Sequence, residues 1–260
     1  PMRIAMGVEY DGSAFCGWQW QPGVATVQQA VELALTRVAD QPIRVVCAGR
    51  TDAGVHASGQ VIHFDTTARR SERAWVLGAN ANLPRMVCMH WAKEVDSEFH
   101  ARFGAHRRRY RYVLLCRPVR PTFLAQRVTW EYRELDADRM QKAASFFLGE
   151  HDFSAYRAQQ CQARSPVRSV YAATVARSGP FITFEVEANG FLHHMVRNMM
   201  GVLIAIGAGE QPVEWASLVL AQRDRTRGGV TAPPDGLYLT AVDYDARFAI
   251  PSPRWPGLIA

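Results

Sequence analysis

The side chains best placed for chemistry stand in one segment, Cys47-Ala48-Gly49-Arg50-Thr51-Asp52-Ala53-Gly54-Val55-His56-Ala57. Asp52 lies between Gly49 and Gly54, two residues after Arg50. Glycines allow backbone shapes and close approaches that other residues resist. A carboxylate on such a loop can point into a cleft, and a nearby guanidinium favours its ionised form. It can equally bond the amides of its own turn, and spacing alone leaves both readings open. A second group is the stretch 107–116, which reads as a strand. There Arg108, Tyr110 and Tyr112 share one face, and Arg107, Arg109 and Arg111 the other. The tyrosines could line a cleft while that Arg row meets phosphates or the other half of the chain; a strand tyrosine otherwise packs in a core or interface. A third group is His193 and Arg197, four apart and so on one face of a predicted helix. That face is offset from the apolar row Leu192, Met195, Val196 and Met199. The adjacent His193 and His194 point apart and lack an evident third ligand, so no metal site is expected.

The totals narrow the classes. A chain of 260 residues with 48% hydrophobic residues can build a real core as one large domain or two small ones. No apolar run reaches the roughly 18 to 20 residues a membrane helix needs. The N-terminal stretch has no charged segment followed by an apolar signal core, so a cytoplasmic protein is expected, with no membrane association. The five cysteines are widely spaced and form no C-x-x-C pair, which disfavours a zinc site and a disulfide framework. Net charge is +6, with Arg clusters at 107–111, at Arg69, Arg70 and Arg73, and at Arg223, Arg225 and Arg227. Arg grips phosphate with a planar fork, and three such clusters favour a nucleic-acid partner over a merely solvated surface.

The elements that must position these residues follow a repeating order. Residues 2–10 read as a strand ending in an Asp11-Gly12 turn. Thr26 caps a helix, with Gln29 completing a capping box. Residues 43–48 and 60–66 read as strands, a helix starts at Ser71 and stops before Pro84, and 86–95 is a further strand. This is the β-α-β-β-α-β order of a ferredoxin-like unit. The order then recurs. It comprises a strand at 107–116, an added one at 128–132, a helix capped by Asp136, and a hairpin of 167–176 with 181–187. A long helix through Leu192 and Leu203, a short helix at 213–221 and a last strand at 237–244 complete it. The expected fold class is α+β: two ferredoxin-like (βαββαβ) halves joined into a mostly antiparallel sheet, helices on one side, with a central catalytic cleft. The expected domains are 1–105, carrying the Asp loop, and 106–260, completing the cleft.

The segment 49–57 resembles the signature loop of the TruA family of tRNA pseudouridine synthases. Tyr10-Asp11-Gly12, Phe15, Gly17-Trp18-Gln19 and Gln21 resemble that family's N-terminal motif. Phe99-His100-Ala101-Arg102 and Arg109-Tyr110-Arg111-Tyr112 resemble its middle. Phe191 to Asn198 with Gly201, then Pro233, Gly236 and Leu237, resemble its late motifs. The resemblance spans nearly the whole chain, in order. It implies an isomerase that turns uridine into pseudouridine at positions 38, 39 and 40 of tRNA, in the anticodon arm. It implies Asp52 as the catalytic carboxylate, Tyr110 stacked on the target uracil with its hydroxyl near the C5 proton, and Arg197 paired with Asp52. Arg50 would help extrude the base and Leu237 pack against it, at the few kcal/mol that flipping costs. His193, Arg109 and Arg111 complete the substrate-binding set. The resemblance also implies a homodimer, and neither cofactor nor metal, because the rearrangement is redox-neutral. Attack at ribose C1′, addition to uracil C6 and removal of the C2′ proton stay open as chemical paths; each needs an ionised, positioned carboxylate.

Three competing readings have distinct signatures. A non-catalytic RNA-binding module would share the element order and the basic charge, but gives Asp52 no role. A metal hydrolase would use Asp52, His56 and His63 as ligands. A sister pseudouridine synthase would modify other tRNA positions.

Overall fold

The computed structural model describes residues 1–253, 255 and 256. These divide into two compact units, Pro1–His106 with Tyr238–Pro256, and Arg107–Leu237.

The first unit opens with β1 (Met2–Tyr10) and α1 (Val27–Ala39). The short β2 (Val46–Cys47) and long β3 (His56–Thr66) follow, then α2 (Glu72–Asn82) and β4 (Val87–Val95). Thr26 and Ser71 start the two helices, their hydroxyls accepting from the Gln29 and Ala74 amides. β1 is central, antiparallel to both β3 and β4, and β2 adds to β3. The order β4-β1-β3-β2 is that of a ferredoxin-like unit. β1 is buried through its middle at Ile4, Ala5, Met6 and Val8, while α1 buries Val31 and Leu35 and α2 buries Trp75. The strand expected at 43–48 shrinks to two residues for a local reason. The Ile43 amide donates to Thr36 Oγ1 and the Val45 amide to Glu32 Oε2, so helix side chains take the bonds a ladder would use. β3 begins at His56 rather than at 60, so the signature loop runs straight into a buried strand.

The second unit holds β5 (Arg107–Cys116), β6 (Thr129–Glu131), α3 (Ala137–Ala144), β7 (Gly149–Asp152), β8 (Val167–Ser178) and β9 (Phe181–Ala188). α4 (Met195–Gly207) and α5 (Trp215–Gln222) complete it. Its strands lie in the order β5-β9-β8-β7, all antiparallel, with β6 parallel to β5. Met140, Phe147, Phe184, Met199 and Leu203 are fully buried and form its core. The chain then leaves this unit at Leu237, and β10 (Leu237–Asp243) pairs in parallel with β3, Tyr238 opposite His56 and Leu239 opposite Ala57. The fold class is α+β with mostly antiparallel strand pairing.

Candidate active site

The candidate residues divide between the units: Arg50 and Asp52 lie in the first, and Arg109, Tyr110, Arg111, His193, Arg197 and Leu237 in the second.

In the first unit the loop between β2 and β3 is fixed from below by buried polar groups. Gln60 is fully buried on β3, and its Nε2 donates to the Gly49 carbonyl at 2.7 Å and to Tyr10 Oη at 3.3 Å. Tyr10 Oη in turn meets Thr51 Oγ1 at 2.8 Å. The Trp18 amide donates to the Thr51 carbonyl at 3.0 Å, and the Val55 amide closes the turn onto the Asp52 carbonyl at 3.0 Å. Gly12 lies so near the turn that an added Cβ would stand 1.9 Å from the Val55 carbonyl oxygen. The Gly12 amide donates to His56 Nδ1 at 2.9 Å, and the His56 ring stacks on Tyr238 at 4.6 Å. Gly54 has φ +82°, a conformation that favours glycine. The N-terminal motif and the signature loop are thus one packed object. It leaves Asp52 half-buried and Arg50 exposed.

The charges around this object are settled. Burial pushes the Asp11 carboxyl up, but the His56 ring and the Ser13 hydroxyl and amide outweigh it and hold it well below the usual range. Burial raises the Cys47 thiol to about 12, so it stays protonated and is no nucleophile. Burial, with Arg3 and His100 nearby, lowers His63 to about 4, and its Nδ1 accepts from the Ala101 amide at 2.9 Å. His56 and His63 therefore serve as backbone pins, which removes the support for a metal hydrolase built on them.

In the second unit Tyr110 is buried on β5 with its ring edge-on to Phe191 at 4.9 Å. Tyr112, expected to line a cleft beside it, is instead fully buried. Its hydroxyl donates to the Pro233 carbonyl at 2.7 Å and meets Thr129 Oγ1 at 2.6 Å, which also accepts the Gly236 amide. This relay seats the turn that delivers buried Leu237. Tyr112→Phe is expected to destabilise the fold by about 1–3 kcal/mol, because two buried oxygens lose a partner. Thermal melting measures this, and the rate of the chemical step in the still-folded protein is expected to hold within a few-fold.

The row Arg107, Arg109 and Arg111 faces acids on β9. Arg107 and Arg109 both grip Glu187, and Arg111 grips Glu185. Half of the Arg109 side chain nevertheless stays exposed, against a fifth of Arg111. Of the third Arg cluster, Arg225 is a structural pin. It donates to Asn198 Oδ1, Thr231 Oγ1 and the Gly229 carbonyl, each at 2.9 Å.

Arg197 sits in the first turn of α4, half-buried, its Nε donating to the Ala232 carbonyl at 2.8 Å while the Ala232 amide donates back to the Arg197 carbonyl at 3.0 Å. Asn198 beside it holds Thr231 and the Tyr156 carbonyl. Gly201 lets this loop lie on the helix, since a Cβ there would meet the Val230 carbonyl at 1.7 Å. His193 is exposed and precedes the helix. His194 takes a left-handed conformation at φ 62° as the N-cap, so the helical face expected for His193 and Arg197 does not form. Gln60, Asn198, Glu185 and Glu187 were not singled out from sequence for these positions. The alternation Glu185-Val186-Glu187, matched to the alternating arginines, is the signal that reveals the acid row.

A family model described as tRNA pseudouridine synthase matches residues 6–104 and 143–245. The chain belongs to the tRNA pseudouridine synthase family. A "tRNA pseudouridine synthase A" of Methylococcus capsulatus is 56% identical over 249 residues, 96% of this chain and 92% of that protein. A relative of the same name from Pseudomonas aeruginosa is 54% identical, covering 96% of this chain and 88% of its own. One from Paraburkholderia phytofirmans is 54% identical over 97% of this chain and 93% of its own. In this pseudouridine synthase family member, buried polar groups brace the Asp52 loop, and the Ala232 backbone holds Arg197.

Proposed function

We propose that this chain isomerises uridine to pseudouridine at positions 38, 39 and 40 in the anticodon arm of tRNA, with Asp52 as the essential carboxylate. The observation that carries the reading is the loop 49–55: buried groups fix its backbone while the Asp52 side chain stays half-exposed. Preorganisation of this kind is what a charge acting in a transition state requires. By chain order the two halves are 1–105 and 106–260, with β10 of the later half laid beside β3 of the earlier one. Their union would form a cleft in which Tyr110 and Arg197 meet Asp52: Tyr110 against the uracil, Arg197 holding the carboxylate ionised. Arg50, planar and exposed, suits the space a flipped base leaves. His193 and Leu237 complete the base pocket. Breaking the bond from uracil N1 to ribose C1′ frees the uracil to turn and rejoin through C5, and the C5 proton is then lost. Attack at C1′, addition at C6 and abstraction at C2′ each draw on the same carboxylate. No cofactor enters the balance of this reaction.

RNA of this shape is held through phosphates and 2′-hydroxyls. Arg109 and Arg111 would supply such contacts beyond their acid partners. Arg109→Ala is expected to weaken tRNA binding several-fold and to reduce the salt slope by about one, with a smaller effect for Arg111→Ala. Filter binding across a salt series reads both, and an unchanged slope moves Arg109 off the RNA surface. The functional setting is a cytoplasmic homodimer. Among the described residues no helix is long and apolar enough to cross a membrane. Mapping pseudouridine in tRNA from cells lacking this protein tests the positions. Loss at 38, 39 and 40 is expected; loss elsewhere would make it a synthase of different specificity.

A further inference from the structure

The outer edge of the first unit's sheet carries a second cluster with ligand chemistry, one that the isomerisation does not use. Glu9 on β1 and Cys88 on β4 stand directly opposite in the antiparallel register. Beside them the ladder slips: Val8 pairs with Met89 and Gly7 with Trp91, leaving His90 as the extra residue of a β-bulge. Bulges re-aim side chains, and this one sets His90 beside the opposed pair. Val87 and Met89 are buried, while Cys88 is half-buried and His90 exposed, so the cluster lies on the other face of β4. His90 Nε2 is 3.3 Å from Glu9 Oε1, Cys88 Sγ is 3.6 Å from Glu9 Oε2, and the three ligand atoms lie within 4.8 Å of one another. Zinc bonds of about 2.1 Å to nitrogen and oxygen and 2.3 Å to sulfur, in a tetrahedron, separate the N and O ligands by about 3.4 Å and the S and O ligands by about 3.6 Å. In the protein the nitrogen and the sulfur stand at these spacings from the two different oxygens of the Glu9 carboxylate, and one ligand atom from each of the three residues falls within 4.8 Å of the others.

We propose that Glu9, Cys88 and His90 bind a divalent transition ion of the zinc type, with water as the fourth ligand. The charges close: one carboxylate and one thiolate offset the two positive charges of the ion. On binding, the Cys88 thiol releases its proton to solvent and the His90 imidazole binds in its neutral form, with no change of oxidation state. The thiolate and imidazole select this class over magnesium or calcium, which prefer oxygen ligands. Tyr10, the residue after Glu9, points inward to Thr51, so Glu9 and its ion face away from the Asp52 loop. The ion would therefore tie the edge strand β4 to β1 and stabilise the fold by linkage, not enter the reaction.

The test is titration of the reduced full-length protein with Co2+. One equivalent is expected to give a thiolate-to-cobalt charge-transfer band and tetrahedral d–d absorption, both displaced by Zn2+. Cys88→Ser and the surface substitution His90→Gln should each lose the charge-transfer band or the tetrahedral signature, while Cys161→Ser keeps both. Zn2+ should raise the melting temperature of the native protein and of Cys161→Ser only, and all three variants should keep native isomerase activity. Absence of the band at one equivalent, or its survival in Cys88→Ser, overturns the proposal.

Discussion

Asp52→Asn is expected to lower kcat for pseudouridine formation by on the order of 10^4-fold or more, while tRNA affinity stays within a few-fold of native. An amide has nearly the shape of the carboxylate. It cannot attack C1′, add to C6 or take the C2′ proton. The bonds described for the loop run through backbone atoms and through Tyr10, Thr51 and Gln60, so the substitution leaves that scaffold standing. The effect is then a loss of charge in the transition state, which appears in kcat and kcat/KM together. Single-turnover kinetics with an anticodon-arm transcript measure it, and turnover near the native rate would remove Asp52 from the mechanism.

Gly12→Ala should have the next largest effect, although Gly12 bears no reactive group. A methyl group there would stand 1.9 Å from the Val55 oxygen and 2.5 Å from its carbonyl carbon. Both are backbone atoms of the turn that presents Asp52, so no flexible side chain can swing aside. Either the turn at 12–15 or the turn at 52–55 must shift. A displacement near 1 Å costs about 100-fold in rate when it moves a reacting group, and overpacking costs about 1–3 kcal/mol in stability. The expected result is a kcat about 100-fold down with KM little changed, and a lower melting temperature. Steady-state kinetics beside thermal melts check it. A kcat within a few-fold of native would show that the two loops are not mechanically joined.

The contrast between these two residues marks how far sequence reading reaches. The element order of the first unit was legible because its signals are local: Thr26 and Ser71 as helix starts, Asp11-Gly12 as a turn, and helical spacing through Val27, Val31 and Ala34. Asp52 stood out through its glycine-flanked loop and its family resemblance. What was hidden depends on partners far along the chain. Tyr112, read as lining a cleft, is taken into the core by Thr129 and Pro233. Alternation cannot show this, since it reports the face and not what covers it. Spacing along β5 does not show which partners its arginines take, because Glu185 and Glu187, which stand opposite them on β9, lie over 70 residues away in the chain. His193 failed as a helical residue because an apolar Leu192 extended the period one turn past the left-handed His194. Gln60 is fully buried on β3, and a buried polar side chain needs partners; it finds them in Gly49 and Tyr10, which its own stretch of sequence does not reveal.

The most direct measurement is tritium release from tRNA labelled at uracil C5, incubated with the native protein. Rejoining the base through C5 expels the hydrogen held there, so the label should pass to water in step with pseudouridine formed in the anticodon arm. Tight binding of the labelled tRNA with no tritium in the water would contradict catalysis and leave an RNA-binding module in its place.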